Sequence, residues 1–167
     1  KYTQKKVVLI EAGKVAHGAT GHNAGQITSY FETPFSELVR RYGVSLAREA
    51  QHAIDEDARL LIESILIEAN LDIPNSQFIG YGGFVREDQI VYELNELRVM
   101  EEAGLRIRPL LVSKEWLAEH PLPVRYASFY TTVAHQEILS VLESRDPRYI
   151  AAKPYLSGCM NSALFTE

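Results

Sequence analysis

The sequence predicts a mixed α/β (α+β) chain, and three observations carry that expectation. Val7 to Ile10 is an unbroken run of β-branched residues and Leu, the pattern of a strand buried on both faces of a parallel sheet. Ser45 to about Asn70 repeats apolar residues at helical spacing. From Gln77 onward, short strand-like runs alternate with amphipathic helical ones.

Bulk properties narrow the field. With 167 residues the chain can bury roughly 70% of the surface it exposes when unfolded, so it needs no disulfide staple. At 46% hydrophobic and 23% charged it has the make-up of a soluble globular protein. A net charge of −5 and a pI near 5.6 argue against a nucleic-acid binder, which usually shows a basic face. No apolar run approaches the ~20 residues of a membrane span. The single Cys159 rules out an intrachain disulfide and fits a reducing, cytoplasmic setting.

The elements follow in order. After the Val7–Ile10 strand, Gly13 to Gly25 reads as a glycine-rich loop. Thr33 and Pro34 offer a helix start, with Gly43 as its stop after Tyr42. The helix from Ser45 carries Leu46, Ala50, Ile54, Leu61 and Ile65 on its apolar stripe and charged residues elsewhere. A turn at Asp72 to Pro74 leads into the strand-like "QFIGYGGFV", whose glycines mark a bulge or a close approach by another group. Asp88 can cap a helix with the stripe Ile90, Leu94, Leu97 and Met100, closed by Gly104. Leu105 to Val112 reads as a strand, Ser113 to His120 as a short helix, Tyr126 to Val133 as a strand, and "SRDPRY" as a turn.

Both ends are expected to be cuts through a larger protein. The chain begins KYTQKK without an initiator Met or a leader, and it closes with Asn161 as an apparent N-cap before Ser162 to Glu167.

The stretch "EAGKVAHGATGHNAGQIT" bears on function. An acid closing a buried strand, here Glu11, can accept hydrogen bonds from adenosine ribose hydroxyls, although many strands end in an acid by chance. The phosphate-binding GxGxxG turn would lie about 20 residues earlier, before Lys1. Glu11-Ala12 followed by Gly18-Ala19-Thr20-Gly21-His22-Asn23-Ala24-Gly25 resembles FAD-dependent oxidoreductases of the D-amino-acid-oxidase type, over residues 7 to 28. "GYGGFVRED" and the late "GCMNSALF" resemble that family more loosely.

The resemblance implies a partial Rossmann-like domain in residues 1–32, a helical segment in 33–75 and part of a substrate domain in 76–167. It implies FAD as cofactor, bound by Glu11 at the ribose, by Ala12 and Gly18, and by Ala19, Thr20 and Gly21 along the diphosphate and ribityl chain. Asn23, Gly25 and Gln26 would lie by the flavin ring. His22 stands where Arg is usual; in the dimethylglycine and sarcosine dehydrogenase subset, His at that place carries flavin covalently, though Gly21 here replaces an aromatic. A noncovalent hydrogen bond from His22 is the alternative. The implied reaction is oxidation of the C–N bond of a small-molecule amine or amino acid, with no catalytic acid or base named and the fragment itself inactive. The rival reading is a non-catalytic α/β interaction module, and the unpaired flank of the first strand invites self-association.

Other constellations carry less. His17 and His22 lack partners at a zinc-like spacing, so no metal site is expected. His52 reads as solvated, and His120 as a favourable charge at a helix end. Tyr81, Arg86 and Tyr130 read first as structural and second as substrate contacts.

Overall fold

The structure is a computed structural model that describes all residues except 1–3, 7, 9, 11, 16, 29, 61–67, 69–72 and 162–167. Its centre is a five-stranded, mostly antiparallel sheet. The strands are β1 (Gln26–Thr28), β2 (Asn75–Phe84), β3 (Leu110–Ser113), β4 (Tyr130–Val133) and β5 (Ala151–Met160). The helices are α1 (Phe35–Tyr42), α2 (Val44–Leu60), α3 (Glu87–Glu102), α4 (Lys114–Glu119) and α5 (His135–Val141). The mixed α/β expectation therefore holds, but nothing shows a Rossmann-like fold. Among the described residues the one parallel pair is β3 with β4, joined through α4.

β5 organises the sheet. One edge pairs with β2 along its whole length, from Asn75↔Met160 to Phe84↔Ala151. The other edge is shared: β1 pairs at residues 157–159, β3 at residues 151–152. Between them, residues 153–156 pair with no described strand on that side, so the sheet forks there. The direction of the backbone groups follows from two bonds at the strand end. The N–H of Met160 reaches Gly25 O on the β1 side (2.9 Å), while that of Asn161 reaches Pro74 O on the β2 side (3.0 Å). Strand groups alternate between edges, and the β2 register is unbroken, so even-numbered residues of β5 address the forked edge. Pro154 is one of them. It has no N–H, so at this position the fork leaves no orphan donor.

α3 covers one face. Ile90, Leu94 and Leu97 are buried against Leu110, Val112, Tyr126, Phe129 and Ala151. This stripe is the expected one, and Gly104, with φ 78°, follows the helix as its stop. A second cluster joins Phe35 of α1, Ala47 of α2, and Ala103 and Leu105 at the end of α3.

Several expectations need correction. Val8 and Ile10 belong to no strand and are 70% and 89% exposed, and among the described residues no strand pairs with them. On α2 the buried residues are Ala47 and Gln51, whereas Leu46 is exposed; that helix turns a small and a polar residue inward. Leu61 and Ile65 lie outside the described residues, as does the helix expected after Asn161. β3 and β4 are shorter than expected, since residues 105–109 are irregular and Val124–Tyr126 forms a 3-10 turn. α5 and β5 were not anticipated at all.

Ser113 illustrates local specification. Its Oγ accepts from the N–H of Trp116 (3.3 Å), capping α4, and the residue is fully buried at the end of β3. Ser113→Ala is expected to cost about 1 kcal/mol of stability. Urea denaturation would read the loss, and Ser113→Thr should recover part of it.

Candidate functional site

The fork in the sheet opens into a cavity of about 980 Å³ on the α3 face. That volume lies in the range of small-molecule sites, which run to roughly 1,000 Å³. Its walls come from the segment before α1, from α2 and α3, from β2, from residues 106–108, and from the unpaired stretch of β5.

Three acids in the wall are already engaged. Glu93, buried on α3, forms an ion pair with Lys153 of β5. One turn on, buried Glu96 accepts from the backbone N–H of Ser36 (3.0 Å) and from its hydroxyl. The start of α1 has no side-chain cap from Pro34, so Glu96 satisfies an orphan donor there from another helix. The third, Asp55 on α2, accepts from Gln51 (3.3 Å). Partial burial pushes its carboxyl above the ordinary carboxylate range, against the Gln51 hydrogen bond.

Aromatic rings line the remainder. Tyr155 lies over Gly80, its strand partner: a Cβ at Gly80 would sit 2.5 Å from the Tyr155 ring. Tyr30 meets Tyr155 edge to face, at 5.6 Å between centroids. Desolvation, then the charges of Glu96, Glu93 and Glu37, raises the Tyr92 phenol above its usual pKa, so it stays a neutral donor.

No His or Cys lines this cavity. Among the described residues, no group of three or more His, Cys, Asp or Glu could hold a metal ion. The arrangement offers paired charges and aromatic faces to a bound molecule.

Of the residues expected to hold a cofactor, none that is described lines the cavity. Glu11 is outside the described residues, and Ala12 is exposed in a bend. Ala19, Thr20, Gly21 and His22 form a 3-10 turn rather than an open loop. His22 Nδ1 lies 2.9 Å from Gly18 O, and Asn23 donates to Ala19 O (3.2 Å). Gly25 donates to Asn23 Oδ1 (2.6 Å), and Gln26 begins β1. Arg86 pairs with Asp88 on the surface. The cavity residues went unrecognised in the sequence, yet one signal was present. Glu93 and Glu96 flank Leu94 and Leu97 on the buried side of α3, where acids are out of place unless they are paired.

Comparison with known proteins changes the functional reading. Over 100 residues, 58% of this chain, the sequence is 31% identical to YhfW of Bacillus subtilis (strain 168), a protein that bears the name of a Rieske 2Fe-2S iron-sulfur protein. The chain spans 17% of that relative's length. No family model matches the chain, and no solved structure matches it.

This similarity overturns the resemblance to D-amino-acid-oxidase-type flavoproteins. The relative is named for a 2Fe-2S cluster, not for FAD or for amine oxidation. Nor does it favour the non-catalytic interaction module. The geometry around Val8, Ile10 and the 19–22 turn gives the earlier reading no support either.

The cluster itself can be tested against the residues present. A Rieske centre is held by two Cys and two His. This chain has one cysteine. Cys159 is half-buried on β5, its Sγ 3.1 Å from Ser76 Oγ. His120 stacks on Trp116, 5.0 Å between centroids, and bonds its backbone. These residues do not fit such a cluster.

Proposed function

We propose that this chain is the small-molecule-binding portion of a larger iron-sulfur electron-transfer protein, whose cluster is held by residues outside these 167. The cavity at the sheet fork carries the reading: it is preformed, walled by aromatic rings, and its buried acids are already paired. The electron-transfer part is drawn from the likeness to YhfW. A reducing, cytoplasmic setting belongs to the same proposal. The role of this chain's residues is to bind and orient the ligand. Glu96 and Ser36 hold α1 against α3, Lys153 and Glu93 hold α3 against β5, and Gly80 leaves room for the Tyr155 ring.

The test uses the full-length protein purified with its metal. Cys159→Ser is expected to retain the parent's iron and acid-labile sulfide, about two atoms of each per chain. Loss of iron in that variant would place a cluster ligand here and overturn the proposal.

A further inference from the structure

We infer that the cavity takes a small organic anion with a flat, unsaturated body, its carboxylate held by Arg106 and Arg108. The inference rests on the ligand-binding reading above and deepens it. Seven charged side chains line the cavity: Glu32, Asp55, Glu93, Glu96, Arg106, Arg108 and Lys153. Most are committed. Glu93 and Lys153 neutralise each other, Glu96 takes two hydrogen bonds from Ser36, and Asp55 takes one from Gln51.

Glu32 is exposed and makes no bond among the described residues, and the cations left in the same state are Arg106 and Arg108. Neither has a hydrogen bond or ion pair among the described residues, and both are exposed at the cavity wall. Ile107 between them packs against the core beneath α3, so the two guanidinium groups flank a fixed point. Pro109 and then β3 follow directly, which limits the freedom of the segment. Two available guanidinium groups two residues apart suit a carboxylate, which accepts paired N–H donors. Tyr30, Tyr92 and Tyr155 supply faces and edges for a planar body.

The experiment is an equilibrium dialysis of the full-length protein against cinnamate, cinnamyl alcohol and cinnamylamine, which share one body and differ in charge. Cinnamate should bind about tenfold tighter than either of the others. Arg106→Ala with Arg108→Ala should weaken cinnamate about tenfold and leave the alcohol unchanged. Arg106→Lys with Arg108→Lys should fall between, because charge survives and the fork geometry does not. Both arginines are exposed and unbonded, so these variants should fold; an unchanged thermal midpoint checks that. Tightest binding of the amine, equal binding of alcohol and acid, or cinnamate binding unmoved by the double alanine variant would each overturn the anion assignment while leaving a binding cavity. Failure of all three probes would overturn both. Iron loss in Cys159→Ser would strike only the cluster half of the earlier proposal.

Discussion

Leu94→Ala is expected to lower the unfolding free energy by about 3 kcal/mol, within the range for truncating a buried leucine. Leu94 is fully buried in the cluster that joins α3 to β3, Tyr126, Phe129 and β5. The loss combines the transfer energy of the removed carbons with the void left behind. Glu93 and Glu96 ride on the same helix, so a loosened α3 also loosens the cavity wall. Urea denaturation would read the stability change. Leu46→Ala is the control: at 54% exposure it should cost no more than about 0.5 kcal/mol, although both leucines stand on apolar stripes in the sequence. Equal losses in the two variants would mean that α3 is not the anchor of the core.

Gly25→Ala should undock β1 from β5. Gly25 has φ 61°, and a side chain in that region costs about 1–2 kcal/mol. Packing adds to this, because an added Cβ would lie 1.9 Å from the carbonyl oxygen of Met160. That obstacle is backbone, in a strand already paired on its far side, and cannot swing away. The expected result is fast amide exchange at Ile27, which is buried in the native chain, and a lower melting point. Gly18→Ala offers the contrast. Nothing lies within 4 Å of a Cβ there, so both readouts should stay unchanged.

These pairs show what the sequence made legible. The stripe of α3 was readable because its apolar spacing is regular and its Gly104 stop is clear. On α2 the same reasoning chose Leu46, since pattern reading ranks residues by apolarity; the folded helix instead buries Ala47 and Gln51 against α1 and the cavity. β5 was hidden for a different reason. Pro154 and Gly158 argue against a central strand when every edge is assumed paired. Here one edge is open at residues 153–156, so the proline fits, and Gly158 keeps clear of Ser76 O, 2.8 Å from where its Cβ would stand. The cavity was the least legible feature. It joins residues from Tyr30 to Leu156, and no local pattern connects them. The glycine-rich stretch drew attention because its composition resembles a cofactor loop, yet the His22 and Asn23 side chains bond the backbone of their own short turn.

The proline at the fork also bears on how this molecule ages in solution. A stray peptide trying to zip into the slot between β1 and β3 would find one rung of the ladder missing, so the doorway resists being bricked up by foreign backbone. A residue that looks like a flaw in the middle strand thus keeps the entrance clear.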